Sequence, residues 1–572
     1  IFYSLTTDNI LNIIVLIILA GVSINMIVGE NGIISMAQKA KENMEMAQKE
    51  EETQIEELAN QLEQGLGEEL KTENKPNAPE LTTGMTPIKF TEPSDNEKGV
   101  VVETNKEDKQ WYNYEEKKWA NAQTEDGSMW VWIPRFAYKV NSSTQNFDVV
   151  FLIGTTDTYY DQNGNIQTAK RCTSENEVID TSTGFTVHPA FTDETTINYR
   201  NGGWDKELTG IWVAKFEAGY ASGNNDAEVV ASSVNYTQDT CWVSPVEEEN
   251  DTSIYEARNW LDGVYGEATT SIKYPVFQPL TYSMNYINHN DAYNIAKKLT
   301  EEGNIYGLTQ SADSHLMKNS EWGAVVYLSK SKYGLNTEDI AINNITLNSG
   351  GAKRTNPEGK SGVDSVYAVT GCTTGKTDEV EKQTTIDNIN TITGNTEKDG
   401  VYTWNQKNGT KASTTGSIYG IYDMSGGTWE RTAGYVANNN EHLKEYGKDI
   451  AYDKDSLSLR TVSTKYTTVY PYEDSTDNVK IENTDENLEI ASKNNWIVNT
   501  LIYGDAIRET STAGIENMSW YSDDSRFPGL FQPFICRGGN FAYEIYSGLF
   551  AFARNDSYSG FNSGFRAVII LS

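Results

Sequence analysis

The sequence predicts an α+β protein in which a long hydrophobic N-terminal helix precedes a large domain of strands and helices, with insertions. Residues 10–28 carry no charge, and the segment that follows is rich in strong helix formers. From Met129 onward, strand-like segments rich in β-branched and aromatic residues alternate with segments of helical character. The predicted boundaries are a hydrophobic helix at 1–28, a polar helical stalk at 29–70, a linker with a small β element at 71–128 and the large domain at 129–572.

The composition excludes several classes of function. Asp and Glu number 81 against 46 for Lys and Arg, which gives a net charge of −35. Phosphate backbones repel such a chain, so we expect no nucleic-acid partner. The four cysteines are far apart, and no His stands at a metal-ligand spacing. We therefore expect no metal site and no cofactor.

The N-terminal segment predicts an anchor. Residues 10–28 would form about 28 Å of helix, close to the ~30 Å hydrocarbon core of a bilayer. The stretch NIIVLIILAGVSINMIVGENGIISMAQKAKE resembles the N-terminus of type IV pilin-like proteins of Gram-positive bacteria, although Leu5 stands where many pilins have Glu. The resemblance implies membrane insertion and possible self-assembly through this helix, at the cell surface or in an extracellular pilus-like filament. A filament subunit and a simple membrane anchor both remain open.

The middle of the chain predicts the elements of the large domain. Residues 129–140 and 210–220 are typical of strands. Residues 288–299, with Asn290 as N-cap, and 313–334 are typical of helices, the second with Trp322, Val325, Val326 and Leu328 facing a core. Polar stretches near 350–415 and 438–495 predict surface insertions. The acidic groups 247–249 and 523–524 are interpreted as solvated surface.

Five motifs of this domain occur along the chain in the order WVAKFE, SEWGAVVYL, YGIYDMSGGTWERT, CRGGNF and GFR. Their order resembles the C-type-lectin-like fold of formylglycine-generating-enzyme domains. The resemblance implies structural roles for Asp423, Gly426 and Trp429. Those enzymes hold copper with paired thiolates, whereas here only Cys536 lies in the C-terminal region. We therefore expect a protein that is not an enzyme and has no catalytic residues.

The C-terminal stretch 537–566 combines two kinds of residue. Residues 549–552 and 568–571 predict buried strands, and Phe552 and Phe565 are expected in the core. Between the framework residues lie Tyr, Phe, Asn, Ser, Asp and Arg without any regular period. Such a mixture suits a recognition surface, because aromatic rings offer area and Asn and Ser adapt their hydrogen bonds. A Gly/Ser/Asn-rich loop whose aromatics pack locally is the alternative.

The pattern RGGN…SGLFAF…GFR resembles the variable region of proteins diversified by diversity-generating retroelements, in which a reverse transcriptase randomises template adenines. The resemblance implies a variable ligand-binding region at 540–563. AAC and AAT codons changed at their adenines yield only some residue types, and every candidate position carries one of them. The candidates are Ala542, Tyr543, Ile545, Tyr546, Ala553, Arg554, Asn555, Asp556, Tyr558, Phe561 and Asn562.

Two functions follow from these expectations. The first is a surface-displayed ligand-binding protein of adhesin or receptor type, whose hypervariable C-terminal surface binds an unknown protein or glycan on another cell, a phage or a host. The alternative is a structural type IV pilin or pseudopilin subunit with a head that is not diversified.

Overall fold

The structure is a computed structural model. It describes residues 74–174, 176–193, 200–219, 274–285, 287–355, 361–378, 380–386, 400–472, 484–557 and 562–571. The elements below belong to one unit, Asn74–Asp161 with Asn165–Ser572. The predicted segments 1–28 and 29–70 lie outside the described residues.

Strands dominate the described part of the chain. They are β1 (Met85–Phe90), β2 (Val101–Glu103), β3 (Asn121–Thr124), β4 (Met129–Pro134), β5 (Phe136–Asn141), β6 (Asn146–Phe151), β7 (Thr158–Tyr160), β8 (Ile166–Thr168), β9 (Thr186–Val187), β10 (Gly210–Ala214), β11 (Ala312–Leu316), β12 (Ile345–Thr355), β13 (Ser361–Ala368), β14 (Cys372–Thr373), β15 (Thr384–Ile386), β16 (Tyr402–Thr403), β17 (Trp429–Val436), β18 (Thr468–Tyr470), β19 (Phe534–Arg537), β20 (Phe552–Asn555), β21 (Ser563–Phe565) and β22 (Ala567–Leu571). The α-helices are α1 (His289–Ala296), α2 (Asn319–Ser329), α3 (Glu441–Tyr446), α4 (Lys448–Ala451) and α5 (Asp485–Val498).

A seven-stranded antiparallel sheet, in the order β11-β22-β10-β4-β3-β1-β2, forms the centre of the unit. Its central strands are buried on both faces, which explains their nearly continuous apolar sequence. Trp130 and Trp132 of β4 pack in one core, whereas the alternating residues Val131 and Ile133 pack in the other. The period of two along a strand thus divides the apolar residues between two cores.

Helices α1 and α2 pack in different cores. On α1, Ala292, Tyr293 and Ile295 join the core of Trp130 and Trp132. On α2, Trp322 and Val325 join the core of Val131 and Ile133. The prediction that Trp322, Val325, Val326 and Leu328 face a core is confirmed, because all four are fully buried.

The second sheet carries the C-terminal motifs. Its order is β18-β17-β19-β20, and β21 pairs with the first part of β17. The register sets Glu430 opposite Arg537 and Gly564, and sets Arg537 opposite Phe552. The motifs TWE, CRGG, FAF and GFR are therefore neighbours in one sheet, although they are far apart in sequence.

Regions predicted as linker or insertion contribute to the ordered unit. In the predicted linker, β1 pairs with both β2 and β3 of the central sheet. At the end of the first predicted insertion, Trp404, Ala412 and Thr414 are buried rather than on the surface. In the second, Leu443 and Ile450 join the core of Trp130.

Local predictions also need correction. The predicted helix at 313–334 is a strand, β11, followed by α2. Helix α1 is capped by Asn288, whose side chain accepts from the Asp291 N–H, and not by Asn290. The predicted strand at 549–552 begins only at Phe552, whereas the predicted strand at the C-terminus is confirmed as β22.

The predicted fold class is wrong in its main feature. Twenty-two strands and five α-helices make the described part mainly β, and its longest α-helix has 14 residues. Within these residues no helix combines the length and the apolar character needed to cross a membrane. The expectation of a long pilin-like or membrane-spanning helix is therefore not met where the structure describes the chain.

Candidate functional site

The RGG motif forms a tight turn that requires its glycines. Gly538 and Gly539 have φ of 84° and 78°, in the left-handed region that favours glycine. A Cβ on Gly539 would lie 2.5 Å from the Cα of Ser547, so no larger residue fits. The preceding Arg537 is fully buried, and its Nη1 donates to the Asp505 carbonyl at 2.9 Å. This turn fixes the start of the candidate region.

The GFR motif is fixed by a buried ion pair. Arg566 donates through Nε to Glu430 Oε2 at 2.9 Å and through Nη2 to Oε1 at 2.5 Å. Its remaining donors reach the carbonyls of Ala214 and Tyr422, each at 2.7 Å. One guanidinium thus joins the WVAKFE, YGIYDMSGGTWE and GFR motifs.

Two further buried carboxyl groups surround this pair. Glu217 accepts from the Thr428 N–H at 3.0 Å and from the hydroxyls of Thr428 and Ser283. Asp423 accepts from Asn343 at 2.8 Å and from the Gly371 N–H at 2.9 Å. Burial raises the pKa of Glu217 well above its usual value, and the neighbouring Asp423 and Glu430 raise it further.

The structural roles expected for Asp423, Gly426 and Trp429 agree with their positions. Asp423 is buried, with a φ of 62°, and Trp429 is only 6% exposed. Gly426 has a φ of 79°, and a Cβ there would meet the Asn343 carbonyl oxygen at 2.3 Å.

Residues 542–546, which we name the binding turn, lie between two fixed points. Before the turn, Phe541 is buried and its N–H donates to the Gly427 carbonyl at 2.8 Å. After it, Ser547 is buried and its Oγ donates to the Asn540 carbonyl at 3.0 Å. Within the turn, the side chain of Ile545 is 43% exposed. Ala542, Tyr543 and Tyr546 are partly exposed.

Tyr543 is held by residues outside the predicted variable region. Its ring meets the Trp429 ring edge-on, with centroids 5.2 Å apart. The Arg526 guanidinium donates to the Tyr543 hydroxyl. The same guanidinium forms an ion pair with Asp524 at 2.5 Å. These contacts hold one partly exposed ring in a defined orientation.

The interpretation of Asp523 and Asp524 as solvated surface is wrong. Both are buried, at 3% and 2% exposure. Asp523 Oδ2 accepts from the Phe550 N–H at 2.8 Å, and burial raises the pKa of this carboxyl well above its usual value. The negative charge of Asp524 is compensated by Arg526. In the local sequence, only the spacing of two residues between them indicates this pair.

Strand β20 divides its candidate residues between two sides. Ala553 is buried and packs in a cluster with Trp429 and Cys536. Arg554 donates instead to Gln532 at 2.9 Å and to Ser492 of α5 at 3.0 Å. Ala553 and Arg554 therefore cannot both belong to one continuous recognition surface.

The side chain of Asn555 is held by hydrogen bonds to neighbouring residues. Its Oδ1 accepts from Arg431 Nη1 at 2.7 Å and from the Ser557 N–H at 2.7 Å. Arg431 is fully buried and also lies 3.0 Å from His289 Nδ1. Burial, together with Arg431, lowers the pKa of His289 well below its usual value, so this ring is neutral.

The remaining candidates are placed only in part. Asp556 and Asn562 are partly exposed, and the Asn562 carbonyl accepts from the Trp429 N–H at 2.7 Å. Tyr558 and Phe561 lie outside the described residues. Trp429 therefore touches the binding turn through Tyr543 and the far end of the variable region through Asn562.

Comparison with known proteins adds no identification: no protein-family model matches the chain, and no curated protein matches it.

Cys536 is not disposed for thiolate chemistry. The thiol is 1% exposed, and burial raises its pKa to about 12. Thiolates, not thiols, act as nucleophiles and metal ligands, so at neutral pH this side chain packs as a small apolar group. The other cysteines in the described ranges, Cys172 and Cys372, are also buried and free.

Proposed function

We propose that this protein is a surface-displayed ligand-binding protein of adhesin or receptor type, whose contacts are made by the binding turn at 542–546 and the adjoining C-terminal residues. The ligand class is a protein or glycan presented by another cell, a phage or a host. We further propose that the exposed candidate residues vary through retroelement mutagenesis.

One observation carries this proposal: fixed and exposed residues alternate sharply within the C-terminal stretch. Gly539, Phe541 and Ser547 are buried, and Phe541 and Ser547 are hydrogen-bonded to neighbouring backbone, whereas Ile545 is 43% exposed. A change at an exposed position usually alters stability by no more than about 0.5 kcal/mol. Such a turn tolerates sequence change without loss of the fold, as a variable binding site requires.

The geometry also suits recognition. The turn contains two tyrosines and an isoleucine. Such side chains contribute to binding when a partner covers them and excludes water. Tyr543 is already oriented by Trp429 and Arg526. We therefore propose a variable surface smaller than the whole region 540–563. Ala553 and Asn555 contact the framework through their side chains and are expected to tolerate few replacements.

Comparing the gene with its genome tests the diversification. We expect a nearby near-copy of the region encoding residues 540–563, differing only at adenines, together with a reverse transcriptase gene. Differences spread over all four bases, or no near-copy at all, would contradict diversification.

Sequencing natural variants tests the assignment of positions. Substitutions should concentrate at 542, 543, 545 and 546 and be rare at 553 and 555. An even distribution over these six positions would show that a place in the turn rather than in strand β20 does not determine which residues vary.

A further inference from the structure

A loop outside the predicted variable region lies beside the binding turn. Asp524 donates its N–H to the Tyr546 carbonyl at 3.0 Å, and the next residue, Ser525, donates its N–H to the Glu516 carbonyl at 2.7 Å. Successive N–H groups of an extended segment point in opposite directions, so the binding turn and residues 516–518 flank this segment on its two sides. With ~4.8 Å between hydrogen-bonded neighbours, the two backbones are about 10 Å apart.

Residues 516–518 are tied to this segment and exposed. Met518 donates its N–H to Ser525 Oγ at 2.8 Å, yet its side chain is 44% exposed. Glu516 is also exposed, as is Glu544 on the binding turn. Neither carboxylate forms an ion pair with a described residue. The positive charge of Arg526 is compensated by Asp524 at 2.5 Å.

The combined surface is therefore apolar at Met518 and Ile545 and acidic at Glu516 and Glu544. We propose that its ligand is a protein segment in which basic side chains flank apolar ones, and that residues 516–518 are a fixed part of the contact. This inference rests on the proposed function, because it assumes that the binding turn is used.

Interface size supports the extension of the contact to residues 516–518. A typical specific protein interface buries ~800 Å² on each partner, a patch roughly 30 Å across. A protein centred on Tyr543 and Tyr546 therefore covers a loop about 10 Å away. A small glycan contacts one side only and does not need Met518. Methionine adapts its shape to different apolar partners, which suits a fixed residue beside a variable turn.

Charge supports a basic partner. The chain carries a net charge of −35, and the two exposed carboxylates belong to the two backbone segments that are hydrogen-bonded to residues 524 and 525. Opposite charge on a partner accelerates association, and the effect weakens as salt increases. Phosphate-rich ligands are repelled by the same charges.

A phage-displayed library of random peptides, selected against the full chain, is the probe for this test. We expect the enriched peptides to combine Lys or Arg with Leu, Ile or Phe. The double variant Glu516→Gln/Met518→Ser should weaken their binding about tenfold. The matched control Glu97→Gln/Val100→Ser changes an exposed carboxylate and an apolar side chain elsewhere, and should alter binding by less than about twofold. Thermal unfolding checks that every variant is folded.

A third variant separates the two proposals. Loss of binding in Tyr543→Ala/Tyr546→Ala but not in Glu516→Gln/Met518→Ser would overturn this inference and leave the proposed function standing. Enriched peptides without basic residues would overturn it too. If no peptide is enriched, this inference fails, whereas the proposed function, which also includes a glycan ligand, stands. If peptides bind but neither double variant weakens their binding, the inference and the proposed function both fail.

Discussion

At the scale of single residues, buried ionisable groups are concentrated where the motifs WVAKFE, YGIYDMSGGTWE and GFR meet. Glu217, Asp423 and Glu430 are all buried, and Arg566 is the guanidinium that pairs with Glu430. Burial raises the pKa of Glu430 to about 7 even though Arg566 opposes this shift. In the described part of the chain, the donors to Glu217 are two hydroxyl groups and a backbone N–H, and none is a guanidinium. Burial therefore raises the pKa of Glu217 without the opposing effect of a directly bonded guanidinium.

The first prediction concerns the pH dependence of stability. A carboxyl whose pKa is raised on folding stabilises the fold below its unfolded pKa, and this stabilisation is lost as pH rises towards the folded pKa. Glu217 should therefore make the free energy of unfolding decrease as pH rises above the ordinary pKa of a glutamate, about 4.3. In Glu217→Gln this part of the slope should be absent. Urea unfolding at several pH values measures it, and equal slopes in both proteins would show that Glu217 is ionised in the fold.

The second prediction concerns Arg526 and Tyr543. If the guanidinium holds the phenol, the variants Arg526→Gln and Tyr543→Phe should be coupled by about 1 kcal/mol in the free energy of unfolding. The matched cycle pairs Arg526→Gln with Tyr546→Phe, whose hydroxyl has no hydrogen bond to Arg526. That second cycle should be additive. Additivity in both cycles would mean that Tyr543 orients itself without Arg526.

At the scale of elements, strand alternation determines which candidate residues reach the surface. Phe552 begins β20, is fully buried and packs with Phe527 and Ile535. Ala553 then points to the cluster of Trp429 on the other side. The exposed candidates are instead those of the binding turn, where backbone hydrogen bonds at its two ends replace side-chain packing.

The third prediction compares these two elements. Phe552→Ala should cost roughly 3–5 kcal/mol, because it leaves a cavity in a packed core. Ile545→Ala should change the free energy of unfolding by less than about 0.5 kcal/mol. Chemical denaturation of the two single variants provides the comparison. A cost for Ile545→Ala close to that of Phe552→Ala would place the turn in the core.

The sequence was sufficient to identify the framework of these elements but not the side on which each residue lies. Phe552 was predictable as buried because it belongs to an apolar run, and Phe565 because it belongs to the framework motif GFR. The inward position of Ala553 was not, because the strand was predicted to begin at residue 549, and a shift in strand assignment changes which side chains share a face. Asp524 and Arg526 were missed because their pairing with Tyr543 depends on contacts distant in sequence.

At the scale of the whole molecule, residues before the first strand help to close the unit. Asn77 donates to the Gly154 carbonyl at 2.8 Å and accepts from the Gly154 N–H at 2.9 Å. The Trp132 indole donates to the Asn77 carbonyl at 3.2 Å, and the Trp212 indole donates to the Glu80 carbonyl at 2.6 Å. Both indoles are almost completely buried, so the loss of these acceptors would leave their N–H groups unpaired.

The fourth prediction follows from these contacts. A chain beginning at Asn74 should be more stable than one beginning at Thr83, which lacks both indole acceptors. An unpaired buried donor costs about 1–3 kcal/mol, so the difference should reach a few kcal/mol. Urea unfolding of the two chains measures it. Equal stabilities would show that water replaces these acceptors without cost.

Protease resistance of two displayed libraries tests the central claim, a fixed framework beneath an exposed turn, most directly. One library randomises Ala542, Ile545 and Tyr546, and the other randomises Gly539, Phe552 and Phe565. Most members of the first should resist protease as well as the parent does, because exposed changes cost little. Most members of the second should be cleaved, because they create cavities or strain the turn. Equal losses in the two libraries would contradict the account.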